Sequence, residues 1–131
     1  MTILDTHVLV WFVSSPEKLS EEVRKHLDRE IKRDGLLASS ISVWEIYMLV
    51  KKGRLRLSMN LDTWIDKVEQ LAFLQFIPVD NKIAASSVIL PEPLHNDPAD
   101  RIILATAREY AATLVTSDTQ LLNYPHVRTL W

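Results

Sequence analysis

The 131-residue sequence contains no cysteine, which excludes disulfide frameworks, thiolate metal sites and cysteine nucleophiles. It holds only two glycines, Gly35 and Gly53, too few for a phosphate-cradling glycine loop or a dinucleotide fingerprint. No apolar run approaches the roughly 20 residues of a membrane span. The hydrophobic start MTILDTHVLVWFV lacks a basic leader region and carries Asp5 and His7 within it. It therefore does not read as a signal peptide, and a cytoplasmic protein without a membrane partner is expected. Basic charge is not in excess either: 15 Lys and Arg face 17 Asp and Glu, for a net charge of −2. That balance differs from the basic footprint usual for nucleic-acid binders. Repeats and low-complexity linkers are absent, so the length fits one domain over residues 1–131.

Short apolar runs alternate with helical patterns along the chain. The runs are TILD (2–5), LLAS (36–39), LQFIPVD (74–80), ATLVTSD (112–118) and HVRTL (126–130). Helical spacing falls at roughly 6–13, 17–33, 42–52, 61–73, 81–88 and 98–111. Gly35 and Gly53 close two of these segments, Gly53 directly after Lys51 and Lys52, as helix C-termini favour. Unbroken apolar strands alternating with helices predict a mostly parallel sheet covered on both faces. Ligands of such open sheets bind outside the carboxyl ends of the strands.

Acids gather at those ends. Three runs stop at aspartates, namely Asp5, Asp80 and Asp118, and LLAS leads into SISVWE, which carries Glu45. Asp97 and Asp100 open the segment 98–111. Each also has an ordinary reading as helix-start chemistry. Asp97-Pro98-Ala99-Asp100 gives an N-cap, a proline at the first helical position and an acid facing the helix dipole. Ser42 with Glu45 reads as a capping box, and Asp80 as a cap alone. Several carboxylates in one place repel each other unless a cation compensates. Mg²⁺ or Mn²⁺, with their preference for oxygen donors, are the natural partners. Such a site suits hydrolysis of a phosphodiester.

Other chemistries find less support. The histidines His7, His26, His95 and His126 are scattered and form no acid–base pair. His95 reads as a surface-loop residue, with metal ligation through its position beside the acids as the alternative. Asp5 as a phosphoryl-accepting nucleophile is disfavoured, because DTH lacks a second aspartate two residues on and no acidic pair ends the first strand.

LDTHVLVW, SSISVWEI, DPADRIILATA and LVTSD resemble, in order and spacing, the successive motifs of PIN-domain ribonucleases. The whole chain resembles the toxin half of VapBC-type toxin–antitoxin pairs. The resemblance implies a three-layer α/β/α fold around a central, mostly parallel sheet of about five strands. It assigns the four acids to Asp5, Glu45, Asp100 and Asp118, as catalytic groups and ligands of Mg²⁺ or Mn²⁺. Thr6, Thr116 and Ser117 become accessory hydroxyls, and Asp97 an accessory acid that serves first as a cap. The implied activity is metal-dependent endoribonuclease cleavage that leaves 5′-phosphate and 3′-hydroxyl ends and restrains translation. The implied partners are an RNA substrate, a small VapB-like antitoxin that blocks the acidic pocket, and a second copy of the chain. A larger toxin–antitoxin assembly on operator DNA is also implied. The alternative is a PIN-like module that binds RNA or protein without cleavage. Its signature is loss of an acid, and all four are present.

Lys51, Lys52, Arg54 and Arg56 form a basic run without an intervening acid. It reads equally as an RNA phosphate contact and as a solvated helix end. Arg101, next to Asp100, points either to substrate or to a neighbouring carboxylate. The helical tryptophans Trp11, Trp44 and Trp64 read as core or interface anchors before base-stacking platforms. Trp11, with Leu9, Val10 and Phe12, belongs either to the core or to a dimer or antitoxin surface.

Overall fold

Each of the five apolar runs supplies a strand in the computed structural model, which describes residues 1–131. The strands are β1 (Thr2–Leu4), β2 (Leu36–Ser39), β3 (Leu74–Ile77), β4 (Thr113–Val115) and β5 (Thr129–Leu130). They pair in the order β3-β2-β1-β4-β5, and every pair is parallel. Seven helices follow in chain order: α1 (Thr6–Ser14), α2 (Glu21–Ile31), α3 (Ser40–Lys51), α4 (Leu61–Glu69), α5 (Asn81–Val88), α6 (Pro98–Glu109) and α7 (Thr119–Leu122). No helix is long and apolar enough to cross a membrane.

Strand side chains alternate between the two faces of a sheet, and here both faces are buried. Leu4, Leu36, Ala38, Leu74 and Val115 join one core with Val8 and Leu9 of α1, Val23 and Leu27 of α2, and Trp64, Ile65 and Val68 of α4. Ile3, Leu37, Ile77 and Leu114 join the other with Ile83 of α5, Ile103 and Leu104 of α6, and Leu121 of α7. Two apolar layers on one sheet produce the three-layer α/β/α arrangement. This explains why the strands read as unbroken apolar runs. Trp64 is a core residue whose indole N–H donates to Ser14 Oγ at 2.8 Å. Trp11 packs on Trp131, with ring centroids 5.8 Å apart.

Helix starts are set by side-chain caps. Asp5, Ser20, Ser39, Asn60, Asp80, Asp97 and Asp118 each accept a hydrogen bond from a backbone N–H at the helix they open, satisfying donors the helix itself leaves free. These caps also correct several expected boundaries. The run 17–33 divides into a 3₁₀ turn at Pro16–Lys18 and α2, because Ser20 caps Val23 N–H at 3.1 Å. The helix expected over 61–73 ends at Glu69, where the chain turns back toward β3. Strands 74–80 and 112–118 stop early, since Asp80 and Asp118 already belong to the caps of α5 and α7.

The expected Ser42–Glu45 capping box does not form. Ser39 caps α3 instead, so Ser42 is buried inside the helix and Glu45 lies in its second turn.

Both glycines have left-handed backbones, φ +77° at Gly35 and +71° at Gly53, a region that disfavours a Cβ. A Cβ on Gly35 sits 2.7 Å from the Phe73 carbonyl oxygen, whereas one on Gly53 meets nothing within 4 Å. Gly53→Ala is therefore expected to cost about 1 kcal/mol, the backbone penalty alone. Gly35→Ala adds a clash with backbone and is expected to cost about 3 kcal/mol. Chemical denaturation of the two variants checks the difference, and equal costs refute the clash.

Candidate active site

The strand order locates the site. The chain builds outward from β1 to β2 and β3, then returns to place β4 on the other side of β1. The crevice at such a switch, beyond the carboxyl ends of the strands, is where open α/β sheets bind ligands. Asp5 follows β1 and Asp118 follows β4. Glu45 comes from α3 and Asp100 from the first turn of α6.

Asp5 is the deepest acid, 9% exposed. Thr6 N–H donates to its Oδ1 at 2.8 Å and Thr116 Oγ–H to its Oδ2 at 2.7 Å. Burial raises its carboxyl pKa, and these two donors act against the rise. The Thr116 hydroxyl oxygen also accepts from Asp118 N–H at 3.1 Å, tying the ends of β1 and β4 together. Asp118 in turn accepts from Gln120 N–H at 2.8 Å as the cap of α7. Ser117 is half-buried between Thr116 and Asp118.

Thr6 serves a second acid. Its hydroxyl donates to Glu45 Oε1 at 2.5 Å and lies 2.8 Å from Ser42 Oγ. A hydroxyl has one proton, so the Ser42 hydroxyl must be the donor to Thr6. The direction Ser42 to Thr6 to Glu45 is fixed, and it orients the acid through a buried serine. The capping-box reading of Ser42 concealed this role. Glu45's pKa is also raised, first by burial, with the negative charges of Asp5 and Asp97 adding to it.

Asp100 shows the largest effect. Burial, followed by repulsion from Asp5, Asp97 and Glu45, pushes its carboxyl up to about 7, against an ordinary value of 3.8. Asp118 acts on Asp5, Asp5 on Glu45, and both Asp5 and Glu45 on Asp100, which joins the four acids in one electrostatic site. Asp97 is exposed and caps α6 through the Asp100 N–H at 2.9 Å, as expected. By starting the helix there it places Asp100 at the crevice.

The closest group of ligand atoms is not the expected quartet. One atom each of His95, Asp100 and Asp118 lie within 4.8 Å of one another, and His95 Nε2 is 3.0 Å from Asp100 Oδ2. His95 is thus part of the site and not a surface-loop residue. No periodicity marks it, because it sits in an irregular segment. The available signal is its position beside Asp97 and Asp100, which supports only the alternative reading.

Arg101 does not reach toward substrate. Its guanidinium donates to the carbonyls of His95 (2.8 Å) and Leu94 (3.1 Å) and to Glu92 Oε1 (2.8 Å). Its side chain is 11% exposed, and its donors are committed to the loop before α6. Of the two readings, substrate or a neighbouring carboxylate, the structure shows the second, with Glu92 as the carboxylate. Lys51, Lys52, Arg54 and Arg56 are all exposed. They follow Glu45 by six residues or more, about 9 Å farther along the axis of α3 and beyond, so they flank the acids without touching them.

Carboxylates held by hydroxyl and amide donors, with raised proton affinities, form an oxygen-rich donor set that fits a hard divalent cation. The cation offsets both the burial and the repulsion.

The comparison with known proteins agrees with this geometry. The family model described as PIN domain matches residues 2–127. Ribonuclease VapC22 of Mycobacterium tuberculosis is 31% identical, over 98% of this chain and 97% of that protein. The crystal structure of VapBC2 from Rickettsia felis, bound to a DNA fragment from its promoter, superposes with a TM-score of 0.73. That pair is 20% identical and covers 98% of this chain and 96% of the other. FitAcB from Neisseria gonorrhoeae gives a TM-score of 0.71 at 24% identity, over 100% of this chain and 97% of the other. Matched from β1 to the turn before β5, the chain belongs to the PIN-domain family.

Proposed function

We propose that the chain, as one PIN domain over residues 1–131, is a metal-dependent endoribonuclease and the toxin of a toxin–antitoxin pair. The observation that carries this reading is the convergence of Asp5, Glu45, Asp100 and Asp118 at the switch point of the sheet. These four acids hold Mg²⁺ or Mn²⁺. The bound ion supplies Lewis acidity toward a phosphodiester and stabilises the oxygen that leaves. Thr116 and Thr6 orient Asp5 and Glu45 by donating to them and oppose the rise in proton affinity that burial causes, and Ser42 steadies Thr6. Lys51, Lys52, Arg54 and Arg56 attract the flanking RNA backbone. Substituting Arg54 and Arg56 with alanine then weakens RNA binding and flattens its salt dependence.

The likeness to a protein named as a ribonuclease supports an RNA substrate. The structural likeness to toxin–antitoxin complexes, some of them bound to DNA, supports three further assignments. They are an antitoxin partner, a toxin–antitoxin complex and its assembly on operator DNA. We further propose that the antitoxin is small and covers the acidic pocket, and that the chain forms a homodimer. The test is RNA cleavage by purified protein with Mn²⁺, Mg²⁺ or EDTA. Cleavage that EDTA abolishes and either metal restores is expected, with 5′-phosphate and 3′-hydroxyl ends. Equal cleavage in EDTA overturns the metal-dependent reading.

A further inference from the structure

The segment between α5 and α6 is fastened with unusual care for an irregular loop. Tyr124 Oη–H donates to the Pro91 carbonyl at 2.9 Å. Arg101 takes Glu92, Leu94 and His95, as described, and reaches the Ser87 carbonyl at 3.3 Å. The residue that ends this clamp is His95, whose Nε2 lies 3.0 Å from Asp100 Oδ2. With Asp100 ionised, as metal binding requires, its oxygen only accepts, so Nε2 carries the proton. In the neutral ring, Nδ1 is then a bare acceptor. That Nδ1 is enclosed and has no hydrogen-bond partner. An imidazole used only to fill space is a poor choice at such a position, because an apolar side chain of similar size leaves no nitrogen unpartnered. The contact with Asp100 accounts for the polar ring.

We propose that His95 is a positioning residue of the active site, which fixes the Asp100 carboxylate for the metal and is itself held in place by Arg101. The inference rests on the acid cluster being a divalent-metal site. Asp100 otherwise has only a one-sided anchor, through its own backbone N–H to Asp97, and its carboxylate is free to turn about its side-chain bonds. A donor on Oδ2 removes that freedom. Outer partners of metal ligands act in this way in metal sites generally. Arg101 then contributes without touching RNA or metal, since it sets the loop that carries the imidazole.

The experiment compares His95→Leu, which keeps bulk without a donor, and His95→Gln, whose amide nitrogen reaches about as far as Nε2. Mn²⁺ affinity is measured by calorimetry, and kcat and KM for RNA cleavage separately. His95→Leu is expected to weaken Mn²⁺ binding and lower kcat, each about 10- to 100-fold, while KM for RNA changes less than about threefold. His95→Gln is expected to recover most of both losses. Arg101→Gln is expected to weaken Mn²⁺ binding in the same direction, and adding it to His95→Leu brings little further loss, because both act through one contact. Should His95→Leu not fold, His95→Asn replaces it as the variant whose amide is too short to reach Asp100. Wild-type Mn²⁺ affinity in the donor-less variant overturns the proposal, as does equal impairment of His95→Leu and His95→Gln. A wild-type protein that binds no Mn²⁺ at all overturns the metal site itself and the proposal with it, a result distinguishable from the other two.

Discussion

Asp5→Asn is expected to abolish RNA cleavage while leaving the fold intact and at least as stable. Removing even an outer partner of a metal ligand lowers affinity or activity by about 10- to 100-fold. A group that meets the ion directly is expected to cost at least about 100-fold. The fold tolerates the change for a geometric reason. Asparagine keeps one oxygen to accept from Thr6 N–H and turns an amide toward Thr116, whose hydroxyl oxygen still has a lone pair beside the Asp118 N–H. What disappears is a carboxylate whose charged form is disfavoured by burial. Without metal at neutral pH, the melting temperature is expected to hold or rise. Cleavage assays and thermal melts on the same preparation check both halves. Wild-type cleavage removes Asp5 from the site. A loss of activity accompanied by a fall of several degrees makes Asp5 a structural residue instead.

That opposition between activity and stability is visible in the sequence only in part. Helix starts carry strong local chemistry, so Asp80 and Asp97 could be read as caps from their neighbours alone. Asp5 and Asp118 are caps as well as acids proposed for the site, because a helix that begins at a strand's carboxyl end places its cap in the crevice. The sheet was legible for a similar reason: burial on both faces leaves unbroken apolar runs. The dependence of Glu45 on Thr6 and Ser42 was not legible. It spans 36 to 39 residues, and no local pattern encodes a contact across two helices. The capping-box spacing at Ser42 pointed to a local partner where the structure uses a distant one. α7 escaped notice since four residues give no periodicity, although Asp118 followed by Thr119 and Gln120 has the character of a cap.

His95 and Arg101 mark the same boundary from the other side. Adjacent to acids and carrying charge or a titratable ring, both invited functional readings from proximity in sequence. Arg101 proves to brace the loop, and His95 to contact Asp100. The direction of a side chain at the start of a helix decides between such roles. That direction depends on how the preceding loop returns across α6, which follows from Tyr124 and Glu92 as much as from the residues themselves.

Asp100 carries the second large expectation, a reversal of its effect on stability by metal. Its carboxyl ordinarily loses its proton near 3.8, and in the fold at about 7. The folded chain therefore binds that proton more tightly than the unfolded chain does. Asp100 thus contributes stability that is complete below about pH 3.8 and lost as pH rises through about 7. In EDTA, the wild-type protein and Asp100→Asn are expected to melt close together near pH 4, where Asp100 in the fold is protonated and neutral. By pH 7.5 the variant is expected to melt higher by roughly 3–6 °C, less than full linkage predicts, because solvent and salt reach this partly open site. Mn²⁺ binds the ionised form, so a concentration about 100 times its dissociation constant stabilises the wild-type protein by about 2.7 kcal/mol. The variant, short of one ligand, gains less, and the order of melting temperatures at pH 7.5 inverts. Melting curves from pH 4 to 8, with EDTA and with Mn²⁺, follow the crossing directly. Parallel curves for the two proteins in EDTA contradict the raised proton affinity of Asp100. An inversion that fails to appear with Mn²⁺ removes Asp100 from the metal's ligands, since a cation bound elsewhere has no reason to favour its ionised form.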